Sequence, residues 1–384
     1  MKKIILFVGS MVLMMGTNSA QSSIKLKKQQ TKFLYGQLNL HGGFIDDING
    51  DRWDFASKSP QNSINLQFFS KNQRNMQRGY TRVIALDSYK VQLGIAYDSQ
   101  VDLAGIQRSN LDFKILDTFV KFKTKSDRTT FTFGNRSIPY GHNPKIDPVV
   151  SFMINPIKAD LGFAQDVGAF VKTPLTRNLD IEVALTSGGA LTKPFLVCNN
   201  LLVSEAEGME IEPEFNFLNF SYQGTWMMTS RIGSPTFKKN EFGFNMVAGH
   251  IASTTIAKDL GHIRRVGVDW VYKLRERLKV VNQMMVGETA SSSKGLFRTV
   301  NTMNNIDYYS GRNWMISLSN SFNYNHSMEN SENMQSWSLA GSVTYVISPH
   351  TRLRLNTYST RIRENNERQK GVLLQFVTGL GKRP

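Results

Sequence analysis

The sequence predicts an all-β protein, a transmembrane antiparallel β-barrel of about 16 strands with an inward-folded third loop. Three observations predict it. Stretches of roughly ten residues alternate apolar with polar or small side chains, which a sheet separates onto opposite faces. After the N-terminal segment no long apolar run follows, 40% of the residues are hydrophobic and the mean hydropathy is −0.30, which excludes a helical membrane protein. Tryptophan and tyrosine fall near the ends of the alternating stretches, where the two interfaces of a bilayer hold amphipathic rings.

The alternation is explicit in three places. Val91, Leu93, Ile95 and Tyr97 interleave with Gln92, Gly94, Ala96 and Asp98. Val266, Val268, Trp270 and Tyr272 interleave with Arg265, Gly267, Asp269 and Lys273, and Trp337, Leu339, Gly341, Val343, Tyr345 and Ile347 with Ser338, Ala340, Ser342 and Thr344. Trp226, Trp314 and Tyr358 join Tyr97, Trp270, Tyr272, Trp337 and Tyr345 as girdle candidates. Soluble propellers and β-helices also alternate, but their strands are shorter and leave such girdles without a purpose.

Residues 1–20 read as a cleaved export signal ahead of a single barrel domain, 21–384. Lys2 and Lys3 precede an apolar stretch from Ile4 to Met15, and Gly16-Thr17-Asn18-Ser19-Ala20 forms a small, polar end. That stretch is too short to span a bilayer as a helix, which takes about 20 residues.

Strands are expected near 33–45, 80–88, 90–98, 113–124, 128–136, 163–174, 178–187 and 217–231. The second half continues near 241–252, 262–273, 277–287, 295–303, 312–323, 335–347, 350–362 and 370–380. Short turns fall at Asp87–Tyr89, Ser126–Asp127, Leu175–Asn178, Lys273–Arg277 and Ser348–His350. Longer connections at 46–79, 99–112, 137–162, 188–216, 288–294, 324–334 and 363–369 occupy the other end. Connections 232–240 and 304–311 are irregular, being longer than tight turns. Residues 61–70 alternate too; an even strand count places them as a hairpin arm inside the first outer loop.

If the apolar faces meet lipid, the intervening residues line a wet lumen, because unpaired charge against hydrocarbon is costly. The lumen then receives Lys121, Lys123 and Asp117, Arg136, Asp166 and Lys172, Asp180 and Glu182, Arg265 and Asp269, Lys279, Arg352 and Arg354. A barrel of about 16 strands is too wide for side chains to fill, so the expectation is a channel narrowed by a loop. The segment 137–162 suits this role: four prolines and apolar residues such as Val149, Phe152 and Met153 would bury against the wall, leaving Lys145, Asp147 and Lys158 at the constriction. The alternative is a loop lying over the barrel mouth or against a neighbouring subunit.

The formal charge is +16, or +14 without Lys2 and Lys3. Nucleic acid is a poor partner for an exported chain with no basic helix or binding motif. Outer-membrane lipids and small hydrophilic, anionic solutes remain. Arg82, Arg136, Arg352 and Arg354 could form a ladder for anions, because guanidinium forks grip phosphate and carboxylate. The competing reading is that they pair with lumenal acids and hold the wall. The lone Cys198 forms no intramolecular disulfide, and six scattered histidines lack metal-ligand spacing, so no cofactor is expected.

Four segments carry a resemblance: Tyr35-Gly36-Gln37-Leu38-Asn39-Leu40, Phe133-Gly134-Asn135-Arg136, Gly162 to Phe170, and Gly371 to Leu380. They resemble, in order, the first strand, the approach to the third loop, the "R-D-x-G" strand opening and the closing strand of the phosphate-selective porin O/P superfamily, particularly its Bacteroidetes-type relatives. Gln165 stands where that family often has arginine, and the closing strand runs into Gly381-Lys382-Arg383-Pro384 instead of ending on an aromatic residue. The resemblance implies a homotrimeric passive diffusion channel in the bacterial outer membrane, with Arg136 and Asp166 flanking the third loop or lining the lumen.

Two other functions compete. A secretion-associated or structural barrel would act through protein partners. A barrel hydrolase would need a catalytic site, for which His142 near Asp147 and His326 beside Ser327 are the candidates. Protein extracted from native membranes should begin at Gln21 by N-terminal sequencing; a retained Met1 would turn the leading segment into an anchor.

Overall fold

A computed structural model places these residues in one closed β-sheet. It describes residues 30–381 apart from 48–49, 55–61, 73–83, 102–106, 116, 125, 127, 142–164, 189–225, 236–239, 253–259, 275–276, 292–294, 312, 329–332, 349 and 364–366. The first strands are β1 (Gln30–Asp47), β2 (Gly50–Asp54), β3 (Asn62–Asn72), β4 (Ile84–Val101), β5 (Gln107–Ile115) and β6 (Thr118–Thr124). β7 (Thr130–Ser137), β8 (Gln165–Thr176), β9 (Leu179–Thr186), β10 (Trp226–Gly233), β11 (Glu241–Ala252) and β12 (Leu260–Leu274) follow. β13 (Leu278–Ser291), β14 (Gly295–Ser310), β15 (Trp314–Ser327), β16 (Asn333–Ser348), β17 (Thr351–Ile362) and β18 (Glu367–Gly381) complete the sheet.

Eighteen segments make sixteen walls. β2 and β3 both pair with the same side of β1, at Gly43–Asp47 and Gln30–Asn39 respectively, so they are one interrupted strand. β5 and β6 likewise share one edge of β4. Every neighbouring pair is antiparallel, and β1 closes on β18 from Tyr35↔Gly381 to Asp46↔Lys370. Closure leaves no edge, as hydrocarbon requires of a sheet.

Two expectations fail here, and their errors cancel in the strand count. Residues 61–70 are not a loop hairpin: Asn62–Asn72 is a wall strand between β1 and β4. Residues 80–88 and 90–98 are not two strands joined at Asp87-Ser88-Tyr89. Their described part, from Ile84 on, belongs to the single β4, and the ladder to β6 shifts register between Leu86 and Ser88. Turn-forming residues here make a β-bulge, which brings both Asp87 and Ser88 into buried positions. Within the expected outer loop 46–79, Gly50–Asp54 and Asn62–Asn72 are therefore wall segments, and β14 runs on to Ser310 where 304–311 read as a connection. Of the expected strand 217–231, residues up to 225 lie outside the described residues.

Both ends of the described chain reach one rim of the barrel. The opposite rim carries the two longest connections, 138–164 and 187–225. The period of two separates the faces as read from sequence. On β15, Ile316, Leu318 and Phe322 are 47%, 52% and 36% exposed, whereas Ser319, Ser321, Asn323 and Asn325 are buried. Trp270, Tyr272, Trp314 and Tyr345 are exposed near the terminal rim and Trp226 and Trp337 near the loop rim, two aromatic girdles. Trp314 and Tyr345 lie side by side, 4.8 Å between ring centroids. Tyr358 is not part of a girdle: it shares the inner face of β17 with Arg354 and Asn356, and its ring covers Gly371.

Cysteine scanning in a Cys198→Ser background tests the new wall strand. Ile64→Cys and Leu66→Cys should react with lipid-phase reagents and resist charged, membrane-impermeant ones, while Gln67→Cys should do the reverse. Uniform labelling by the charged reagent would return this segment to a loop.

Candidate functional site

The inner face of β4 and β6–β9 carries a dense array of charge. Lys90 Nζ donates to Asp117 Oδ2 at 2.9 Å. Lys123 lies 3.2 Å from Asp87 on the bulge, and Lys172 lies 3.3 Å from Asp180 and 4.0 Å from Glu182. Arg136 binds Glu182 at 2.8 Å with its guanidinium over the Phe170 ring, 4.9 Å from the centroid. Lys121 stands directly across from Ser88 and Thr132, both buried inward, and so shares their face.

With Asp166, these residues comprise five cations and five carboxylates, so charge count alone favours neither sign. Depth breaks the tie. The side-chain exposures are 27% for Lys123 against 8% for Asp87, 26% for Arg136 against 16% for Glu182, and 34% for Lys172 against 16% for Asp180. Lys90 and Asp117 reverse the order at 14% and 28%. Three of the four pairs present ammonium or guanidinium to the lumen and set the carboxylate behind it, and a solute meets the nearer, better hydrated charge first.

Asp166, expected to line the lumen or to flank the third loop, is buried at the start of β8, the strand that follows that loop. It faces inward across from Arg136, yet it accepts hydrogen bonds from the Val167 N–H at 2.8 Å, the Ser187 hydroxyl at 2.7 Å and the Gly188 N–H at 2.7 Å. Gly188, at φ 60°, can turn its N–H back toward the carboxylate. Asp166 thus ties the end of β9 to the start of β8. Arg354 is also consumed by the wall: it is buried, donates to Thr344 Oγ1 at 2.7 Å and reaches Gln375 Oε1 at 3.4 Å. Arg352 shares its face and is half-buried. The arginine ladder is therefore not one row. Arg136 belongs to the wall of β4 and β6–β9, Arg352 and Arg354 lie with the buried Asp307 among the Asn, Ser and Thr side chains of β14–β17, and Arg82 is outside the described residues. Lys145 and Lys158 are outside them as well.

The first residues of the third loop, 138–141, are described. Ile138 and Tyr140 are fully buried, and the Gly141 N–H donates to Asn245 Oδ1 on β11 at 3.0 Å. β11 lies four strands around the wall from β7, so the chain turns inward as it leaves β7. Burial pushes the Tyr140 phenol up to about 12 against the opposing pull of Arg265, so it stays neutral near pH 7.

Asn245 is itself held. Its Nδ2 donates to Asp269 Oδ2 at 2.6 Å, and Arg231 grips the same carboxylate through Nε at 3.0 Å and Nη2 at 2.8 Å. Arg231 and Asp269 sit on β10 and β12, so their side chains must meet over β11. The residue beneath them is Gly243, where any Cβ would fall 2.5 Å from both Arg231 Nε and Asp269 Oδ2. A missing side chain on the middle strand thus lets a bidentate ion pair form across three strands, and that pair orients the amide that catches the loop.

Sequence reasoning placed Lys121, Lys123, Arg136, Lys172, Asp180, Glu182, Arg265 and Asp269 on the inner face, and the structure puts them there. It missed Lys90, Arg231, Asn245 and the role of Asp87. Asp87 was hidden by its turn-like neighbours; Arg231 and Asn245 alternate correctly with apolar residues but gain meaning only through register. The hydrolase candidate His326–Ser327 is contradicted: Ser327 is buried inward, whereas His326 lies on the outer face, stacked on Tyr324 with ring centroids 6.3 Å apart. His142 lies outside the described residues.

No protein-family model and no curated protein matches the chain. Solved structures do. An anion-selective porin from Comamonas acidovorans is similar with a TM-score of 0.60 and 9% identity, over 92% of this chain and 100% of the other. The outer-membrane protein OmpT of Vibrio cholerae gives 0.60 and 9% over 93% and 100%. The outer-membrane channel DcaP of Acinetobacter baumannii gives 0.52 and 11% over 94% and 100%. At these identities the similarity establishes a fold, that of outer-membrane porins and channels.

Removing one partner of the latch leaves a buried charge uncompensated, worth about 3–5 kcal/mol. Asp269→Ala should therefore lower the temperature at which the folded barrel loses its fast electrophoretic mobility, and Gly243→Val should do the same by separating the pair. Asn245→Ala should leave that temperature nearly unchanged while making single-channel currents noisier. Equal thermal losses for Asn245→Ala and Asp269→Ala would assign Asn245 to the fold rather than to the loop.

Proposed function

We propose that this outer-membrane barrel is a porin, a water-filled channel for passive diffusion of small hydrophilic solutes with a preference for anions. The observation that carries the preference is the depth order of the charged wall, with Lys123, Arg136 and Lys172 each more exposed than the carboxylate beside it. Solutes drift along the inner face of β4 and β6–β9, attracted by cations whose countercharges are set back. The reading fits a fold whose neighbours include a porin described as anion-selective. No covalent step is invoked, and no residue is assigned a catalytic role.

The assignment extends to three finer points. The third loop folds inward and narrows the passage, a reading supported by the Gly141 N–H bond to Asn245 on β11. Copies of the barrel associate as a homotrimer in the lipid, as one Vibrio cholerae OmpT structure is described. Membership of the phosphate-selective porin O/P superfamily rests on the four segments named from sequence, with Arg136 as the family-type residue that reaches the lumen.

Planar-bilayer recording under a salt gradient tests the function. The reversal potential should indicate anion preference, weakening as ionic strength shortens the reach of the wall charges below roughly 10 Å. Lys123→Glu and Lys172→Glu should move the reversal potential toward cations. Arg354→Glu should impair assembly rather than retune selectivity, because its guanidinium is inside the wall. A closed barrel would remove the porin reading, and cation preference in the unmodified protein would remove the charge argument alone.

A further inference from the structure

The outer wall differs between its two rims. On β12–β18 the outward strand residues nearest the terminal rim are uncharged, among them Tyr272, Leu274, Tyr308, Trp314, Ile347 and Leu380, all exposed. At the loop rim the outward, exposed residues of these strands include Arg264, Arg298, Arg361, Arg368 and Lys370. Glu288 is the one carboxylate on that band among the described residues. Aromatic girdles anchor a barrel at both interfaces, but a cationic collar at one rim alone is an added feature. Short turns mark the periplasmic rim of such a barrel and long loops its outer one, so the collar lies at head-group depth in the outer leaflet.

Two parts of the collar differ. On β12–β15, Arg264, Glu288, Arg298 and His326 are successive register partners. Glu288 tempers this part, lying 3.8 Å from Arg264 and 3.3 Å from His262. On β17–β18 the cations are concentrated. Arg361 and Arg368 are direct register partners, and Trp337 on β16 continues their row. Lys370 follows on the same face of β18, and Arg363 stands just beyond the end of β17. Like charges directly opposite each other destabilise a sheet. Neutral groups hold two of these guanidinium groups in place: Arg368 Nε donates to Ser359 Oγ at 3.4 Å, and Arg363 Nη1 to Gln335 Oε1 at 3.1 Å. Each bond uses one of a guanidinium's five N–H groups, and the others can fork onto a phosphate that offsets the repulsion.

We propose that Arg361 and Arg368, flanked by Arg363 and Lys370, form a site on the outer wall for the phosphorylated head group of an outer-leaflet lipid. The phosphate sits between the two facing guanidinium groups, within reach of both because adjacent strands are roughly 4.8 Å apart. Toward mid-membrane the same face turns apolar, with Leu339, Leu355, Val372 and Leu374 exposed. A ligand that is anionic at the rim and apolar below it is a phospholipid-like molecule, which a soluble anion is not. Trp337, in register with the arginines, sets the depth of the head group. Every residue of the site faces outward, so it stands independently of what the lumen carries.

The test uses the full chain refolded into detergent, free of native lipid, and mixed with phosphatidic acid or with diacylglycerol of the same acyl chains. By native mass spectrometry the wild type should retain phosphatidic acid several-fold over diacylglycerol, and Arg361→Gln/Arg368→Gln should bring the two level. Arg128→Gln/Arg177→Gln removes the same charge from exposed positions between strands at the terminal rim, and should keep the preference. Heat-modifiable mobility checks that each variant is folded. No preference in the wild type, an unchanged preference in Arg361→Gln/Arg368→Gln, or equal loss in both variants would overturn the proposal. Displacement of the lipid by an equal concentration of inorganic phosphate would reassign the arginines to a soluble anion and overturn it too. A second measurement does not depend on the folding of the arginine variant. In a Cys198→Ser background in nanodiscs, a fluorophore on Leu374→Cys should be quenched several-fold more by phosphatidic acid with brominated chains than by the brominated diacylglycerol. One on Met246→Cys, on another wall, should not distinguish the two lipids. The same response at both positions would equally overturn the site.

Discussion

Hydrocarbon offers no hydrogen-bond partner, and that single fact organises the molecule. Each backbone N–H and C=O in the membrane must find its mate within the sheet, so the sheet must close on itself. The twelve-residue ladder between β1 and β18 is therefore the last necessary bond of the fold. Once the ring is closed, the period of two leaves little freedom. Among the described wall residues, outward positions are mostly apolar and inward ones mostly polar.

Inside the ring the problem is reversed, since charges must be held without closing the passage. The wall solves it by pairing neighbours across strands and by setting carboxylates behind cations. It also exploits absence. Gly243 has no side chain, so Arg231 and Asp269 can reach each other over β11 and hold the Asn245 amide under Gly141. The same pattern recurs at Gly371, covered by the Tyr358 ring. These inner glycines are places where one strand yields room to its neighbours' side chains, a means of filling irregular space in a sheet.

Charge is densest on β4 and β6–β9, and the inner faces of β14–β17 carry mainly Asn, Ser and Thr beside Asp307, Arg352 and Arg354. Lysines and arginines read from sequence as one ladder separate in space, because register carries β6–β8 and β17 to different sides of the barrel. Arg136 pairs with Glu182 and stays partly exposed on the inner face, whereas Arg354 is buried against Thr344 and Gln375. Two residues of identical chemistry and identical alternation thus differ in role because of what stands across from them.

Alternation, girdle aromatics and the even count were legible in the amino-acid order, because a strand's two faces repeat every second residue without reference to any partner. Val266, Trp270 and Val343 were assigned outward on that basis, and Lys121, Glu182 and Asp269 inward. What no local pattern could decide was whether Asp87-Ser88 turns the chain or bulges it, or whether Asn62–Asn72 is wall or loop. Those outcomes depend on which strand lies alongside: β6 accepts the bulge, and β1 and β4 together claim β3. The bond from Gly141 to Asn245 joins residues 104 positions apart in the chain. Face is a property of one strand and was written in the sequence; neighbourhood is a property of pairs of strands and came only with the closed barrel.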